Sequence, residues 1–436
     1  MKELKGFLLR TVYLALTCGM FYYANAYLTI GGFGVMYQYL FAIAIILLAF
    51  TVFLVRPDSR RMVVALRYSW AFSAHYLWIG LYSMLVWGLS LSRFNVITRG
   101  GFAIVYELIG VLAAAATVYL FGREGVRLMV AGLLLANAIY IVRSIAEHGP
   151  GPFFQEYIEL IVTFTGKTGR IMKSFENLNM SYMLGFFLLY QVMEAILDRG
   201  LAKKEIRSAS PLKKEWWISP LAVACFLLGL KRSVLLATLV GLMAGLLLSR
   251  FPAKAARRAA RVLCVLLVVF GFAYVIACYY GVIEWLESLG VDTNGRAYLF
   301  EQIKDYYQMG AGYLGKGAGY VSRMMEEGTF VSPPKGGYIP GDIHNDFLRQ
   351  YIELGFLGYL IWLVLFLSYK AEFFFHGMKT PMDRAHGIMA MTFIVVNYST
   401  FTTENTLYYA KSTMMVSLLI MAYHFEDYCA MEAGYG

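Results

Sequence analysis

Apolar residues recur along the chain in roughly twelve runs of about 17–25 residues, the length a helix needs to cross a bilayer. They lie near 7–27, 34–55, 68–90, 101–121, 127–146, 179–198, 216–230, 233–249, 262–280, 349–369, 387–402 and 410–424. This pattern predicts an all-α fold, a polytopic transmembrane helical bundle of about 12 spans. The seventh and eighth runs are short and separated only by Lys231 and Arg232. Together they are too long for one crossing, so a tight helical hairpin is expected there. Two longer polar stretches, near 147–178 and 281–343, interrupt the runs. The chain therefore divides into an N-terminal transmembrane half (1–215), a hairpin plus ninth span (216–280), a large, partly helical outer loop (281–343) and C-terminal transmembrane helices (344–436).

Composition agrees with the pattern. Of the 436 residues, 59% are hydrophobic and 15% charged, and the mean hydropathy is +0.58, values of a polytopic membrane protein rather than of soluble domains. The net charge of +10 would suit nucleic acid, but its placement explains it otherwise. Basic residues crowd the short loops at 56–67, 199–215 and 250–261, while those at 28–33 and 403–409 have none. The positive-inside rule then puts the basic loops and both termini in the cytoplasm, with some attraction to anionic membrane lipid and no call for nucleic acid. Ala24-Asn25-Ala26 resembles a signal-peptide cleavage site, but the tyrosine-rich flank and the span that follows at once favour a retained anchor. Five cysteines, Cys18, Cys225, Cys264, Cys278 and Cys429, have no paired spacing, so neither a disulfide framework nor a metal site is indicated. Ionisable residues within the runs, such as His75, Glu107 and Glu194, are few and form no repeat of the kind transporters use.

Candidate chemistry gathers on the outer side. The segment Phe153 to Phe164 suits an amphipathic helix along the interface. In the larger loop, glycines alternate with Trp285, Tyr298, Tyr306, Tyr307, Tyr313, Tyr320 and Tyr338. Such a loop could fold over a sugar, or supply an interfacial aromatic belt. Arg232 lies on the outer side against the charge trend, where an ionisable group is costly. Arg296, in Asp292-Thr293-Asn294-Gly295-Arg296, opens an amphipathic stretch running to Tyr307; Thr293 or Asn294 could cap that helix, making its positive end an anion site. After Pro340-Gly341, Asp342 is a good N-cap for a helix starting at Ile343. His344 would then sit in the first turn, where the positive backbone potential favours the neutral imidazole. At 100° per residue, His344, Tyr351, Gly355 and Gly358 share a face, and the two glycines would admit a neighbouring helix.

His344-Asn345, nine residues, Gly355, two residues and Gly358 form a specific combination after a long polar loop. With KRSVLLATLVGLMAGLL from Lys231, NGRAYLF from Asn294, GKGAGY from Gly315 and IHNDFL from Ile343, the order of elements over about 217–370 resembles the O-antigen ligase and O-antigen polymerase superfamily. Leu230-Lys231 stand where that family usually has small residues before the arginine. The resemblance implies a metal-independent inverting glycosyltransferase without a cofactor. Its donor would be an undecaprenyl diphosphate-linked glycan, and its acceptor lipid A-core (a ligase) or a second lipid-linked repeat (a polymerase). Arg232 and Arg296 would hold the departing diphosphate bidentately, and His344 would take the acceptor proton. Asn345, Tyr298 and Tyr320 are candidate diphosphate or glycan contacts. A lipid or sugar transporter, or a non-catalytic scaffold, would not need the set Arg232, Arg296 and His344.

The orientation is testable by labelling. With single cysteines at Ser332 and Ser208 in a cysteine-free background, an impermeant maleimide should modify Ser332→Cys but not Ser208→Cys in intact cells. Modification of the second would reverse the topology.

Overall fold

The computed structural model describes residues 2–24, 26–30, 33–90, 93–163, 180–202, 217–229, 231–290, 293, 295–328, 330, 343–375 and 381–434. Each of the twelve apolar runs is mainly helical over its described residues. In order, the N-terminal part comprises α1 (Lys2–Tyr22), α2 (Tyr37–Val55), α3 (Ser59–Ser90), α4 (Phe94–Phe121), α5 (Glu124–His148), α6 (Pro150–Thr163) and α7 (Met180–Ala202). Next come α8 (Ile218–Leu228), α9 (Arg232–Ser249) and α10 (Ala253–Tyr279), and then the outer-loop helices α11 (Val282–Ser288), α12 (Arg296–Ile303) and α13 (Tyr320–Glu327). Helix α14 (Asp346–Val364) continues through a π-helical turn, Leu365–Tyr369, into α15 (Lys370–Phe375); α16 (Pro381–Thr400) and α17 (Ala410–Gly434) complete the bundle. Among the described residues, seven helices are long and apolar enough to cross a membrane. The loop expected at 28–33 contains a small hairpin instead, β1 (Tyr27–Ile30) paired antiparallel with β2 (Phe33–Met36), Tyr27 opposite Met36.

The last two helices form the centre. Nearly every side chain from Ile388 to Val396 and from Met414 to Phe425 is buried, because α16 packs against α9 and α17 against α4. Helices α2, α9 and α10 lie outside and expose Leu47, Leu54, Leu236, Met243, Val265 and Val269, as lipid-facing helices do. Several polar groups inside the bundle are paired. Arg123 reaches Glu194 at 3.3 Å and Asp198 at 3.4 Å and donates to the Tyr423 carbonyl, and Tyr76 donates to Glu107 at 3.4 Å. These pairs tie helices together.

Helix α8 has 11 residues, about 16 Å, half of a typical hydrocarbon layer. It packs against α7 and α5, whereas α9 packs against α16 and α7. The two part at Gly229–Lys231 rather than lying against each other along their length as the expected hairpin would.

Helix α14 differs most from expectation. It starts at Asp346, with Asn345 as N-cap: the Asn345 Oδ1 accepts from the Leu348 N–H at 3.1 Å. Asp342 lies outside the described residues, and His344 stands before the cap with φ +46°, not in the first turn. The helix also breaks at Gly355 (φ 66°, ψ −172°), so the shared face inferred from a continuous helix does not exist. The outer loop fills the break. Phe356 N–H donates to the Tyr313 carbonyl (2.8 Å), while the Ile352 and Glu353 carbonyls accept from Lys316 (3.1 Å) and Gly317 (2.7 Å). Gly315 and Gly355 are both left-handed, and a Cβ on either would strike the other strand's backbone. Gly355 therefore admits a loop rather than a helix; Gly358 does receive a helix, against the Tyr82 ring of α3.

Replacing Gly355 with alanine should cost about 2 kcal/mol or more, from the strained φ together with the backbone clash. Gly88→Ala, with nothing within 4 Å of the added carbon, should be nearly neutral. Thermal unfolding of the purified variants in one detergent checks the difference.

Candidate functional site

Two polar arrangements meet around the start of α14. The first holds the glycine-rich loop. Glu353 Oε1 accepts from Gly319 N–H and Val321 N–H, both at 3.1 Å, so a fully buried carboxylate caps the positive end of α13. Arg349, 3.7 Å from that oxygen, donates to Ser322 Oγ at 2.6 Å and stacks over Tyr408. On the other side Ser83 Oγ accepts from Ala318 N–H at 2.9 Å and Tyr82 donates to the Leu314 carbonyl at 3.2 Å. The GKGAGY segment is thereby clamped between α3 and α14.

The second is centred on the turn between α16 and α17, Phe401–Tyr409. Asp346 N–H donates to the Phe401 carbonyl (2.9 Å), Asn345 N–H to Asn405 Oδ1 (3.2 Å), and Leu407 N–H to Asp346 Oδ2 (2.8 Å). These bonds press the His-Asn segment onto the turn and fix the left-handed His344 backbone. Glu404, with its side chain 8% exposed, then becomes a hub: Lys231 Nζ lies 3.1 Å from Oε1, Ser233 Oγ 3.5 Å from Oε1, and His344 Nδ1 3.8 Å from Oε2. Lys231 balances the carboxylate's charge beside the imidazole. The adjacent Thr403 carbonyl accepts from Arg296 Nη2 at 2.8 Å. The Arg296 Nε is buried and makes no hydrogen bond among the described residues, an unusual state for a charged donor.

The turn thus brings Arg296 and His344 together. Arg232, the first residue of α9, is exposed, and its neighbours Lys231 and Ser233 are the ones that reach Glu404. Thr293 Oγ1 accepts from Ala297 N–H at 3.4 Å, so it supports the start of α12; Asn294 lies outside the described residues. Asn345 was expected to contact diphosphate or glycan, but its side chain is fully buried, capping α14 and reaching Cys278 Sγ at 3.7 Å. Tyr298 and Tyr320 are half-buried on α12 and α13. Of the other loop aromatics, Tyr307 and Tyr313 are built into a tyrosine cluster with Tyr279 and Tyr351, and burial pushes both phenols well above their usual range. They are scaffold groups. Tyr338 lies outside the described residues. Among the described residues no three His, Cys, Asp or Glu side chains are grouped to hold a metal ion.

Sequence reading missed Glu404, Lys231, Arg349 and Glu353. The available signal was Thr402-Thr403-Glu404-Asn405-Thr406, a wholly polar run between two spans that had been read only for its lack of basic residues.

The fold and site define a multi-pass membrane protein whose polar groups are held at one end of the bundle by a glycine-rich loop and a short turn. Residues 218–363 match the family model described as O-antigen ligase, and over that stretch the chain carries the O-antigen ligase family domain. The match spans α8 to α14, including Arg232, Arg296 and His344; the 401–409 turn lies beyond it. No curated protein matches the chain.

The buried Lys231–Glu404 pair can be measured by a double-mutant cycle. Lys231→Met and Glu404→Gln should each destabilise the protein. The double variant should lose less than their sum by about 1 kcal/mol, read from denaturation midpoints. Strict additivity would mean that the pair does not interact.

Proposed function

We propose that the protein is a glycosyltransferase moving a glycan en bloc from undecaprenyl diphosphate to an acceptor hydroxyl at the outer face of the bacterial inner membrane. Both termini and the basic loops would lie in the cytoplasm. The observation that carries this reading is the convergence of Arg296, His344 and the Lys231–Ser233 corner on Thr403–Glu404.

Breaking the glycosidic bond leaves negative charge on the diphosphate. Arg296 is pinned through one nitrogen to the Thr403 carbonyl, which leaves its buried Nε–H for a phosphate oxygen; preorganised donors of this kind stabilise developing charge. Arg232, at the start of α9 between Lys231 and Ser233, would supply a second guanidinium, whose fixed fork suits phosphate better than an ammonium does. With both in place the leaving group is neutralised by the protein's own cations, so the transfer needs no metal. His344 presents Nδ1 towards Glu404. A proton on Nδ1 is favoured by the carboxylate, and Nε2 then carries the lone pair that accepts the acceptor's hydroxyl proton. Attack by that hydroxyl opposite the diphosphate forms the new glycosidic bond with inversion. The helix-dipole contribution anticipated for His344 is replaced by the Lys231–Glu404 charge balance, since His344 precedes the helix.

Purified protein should consume a defined undecaprenyl diphosphate glycan in detergent without nucleotide or divalent metal. Growth of the lipid-linked glycan alone would indicate the polymerase reaction, and a requirement for added lipid A-core the ligase reaction. His344→Ala should lower turnover about 10² to 10⁴-fold with donor binding retained, and Arg296→Lys and Arg232→Ala should impair turnover at normal protein levels. Unchanged turnover in His344→Ala would end the general-base assignment.

A further inference from the structure

Helices α1 and α2 touch closely at one end and part at the other. Near the outer turn a Cβ on Gly19 would lie 2.6 Å from the Phe41 ring, whereas at the opposite end a Cβ on Gly6 would meet nothing within 4 Å. The wedge between them is a groove of about 420 Å³ walled by Leu9 and Val12 of α1 and by Leu48, Val52 and Val55 of α2, with Arg56 at its rim. Its surroundings, Phe7, Leu8, Leu54 and Val55, are exposed and apolar, so the groove opens sideways into hydrocarbon. From Thr11 to Val55 the sequence has no charged residue. Arg56 is therefore the first charge to emerge, which sets it at the headgroup plane. It is exposed and forms no ion pair among the described residues, and the exposed Arg60 follows at the start of α3.

We infer that this groove is a binding site for one anionic phospholipid of the leaflet on the basic-loop side. One acyl chain fills the wedge and the phosphate sits against Arg56. A transmembrane helix, about 10–12 Å wide with its side chains, is too broad for a cleft of this volume. Water is excluded by walls whose one hydroxyl, Thr51, is already bonded to the Leu47 carbonyl. An acyl chain matches both the shape and the apolar lining. Arg56 selects a headgroup that carries no compensating cation, so phosphatidylglycerol is favoured over phosphatidylcholine. The site lies at the opposite end of the bundle from His344 and does not depend on the transferase reading.

The test is native mass spectrometry of the full chain in mild detergent, titrated with phosphatidylglycerol or phosphatidylcholine of identical acyl chains. The wild type should retain one phosphatidylglycerol with about five- to tenfold preference, and Arg56→Gln should lower that preference about fivefold, as expected for one basic residue at a lipid surface. Val52→Trp, which fills the wedge, should release the retained lipid of either kind; should that variant fail to fold, the Arg56→Gln result decides alone. Equal retention of both lipids by the wild type, or a preference untouched by Arg56→Gln, overturns the inference. So does a wild-type dimer that Val52→Trp dissociates, because a second copy would then be the occupant.

Discussion

The structure depends on backbone hydrogen bonds that one helix does not make for itself. Where α14 breaks at Gly355, two carbonyls and one N–H lose their helical partners. Inside a membrane protein, unpaired backbone groups are costly, so the break must be filled by another chain segment. The loop from Tyr313 to Gly317 fills it, and its own left-handed glycines at 315 and 317 allow the close approach. The outer loop is thereby anchored by main-chain bonds rather than by side chains alone.

From that anchor the polar groups take their places in sequence. Glu353 caps α13, Arg349 steadies Glu353, and the helix below carries Asn345 and Asp346 into the turn at 401–409. Only there do Arg296 and His344, far apart in sequence, come to share one support. The buried charges are paired and their hydrogen bonds directional, as polar networks of low exposure require. Glu404 is held from both α9 and the His344 segment, and Glu353 joins α14 to the start of α13.

Much of the fold was legible because lipid imposes a simple code: a span must be apolar, helical and long enough. The positions of α1 to α5, α7 to α10, α14, α16 and α17 follow from it. The start of α14 was misread because Asp342 and Asn345 are both good caps three residues apart. Bonds from Asn405 and Phe401, invisible locally, select the second. Gly355 was read as a helix-packing residue because a Gly-x-x-Gly spacing looks the same whether the first glycine packs or breaks the helix. His344 and Arg296 stood out because each falls at an expected helix start, within motifs that resemble the family's. Glu404 did not, since a lone carboxylate in a short loop signals nothing until Lys231 and His344 are placed beside it.

The turn at 401–409 also has a bearing on biosynthesis. It is synthesised after the residues it positions, with bonds linking 345 to 405 and 346 to 401 and 407. Contacts of such separation form late, and chains fold broadly from the N-terminus during synthesis. Before α16 and α17 enter the membrane, His344 and Asn345 have no turn to rest on. The polar centre is therefore incomplete until α16 and α17 are inserted, so a chain truncated before them would carry every residue of the matched stretch 218–363 without the support that arranges them.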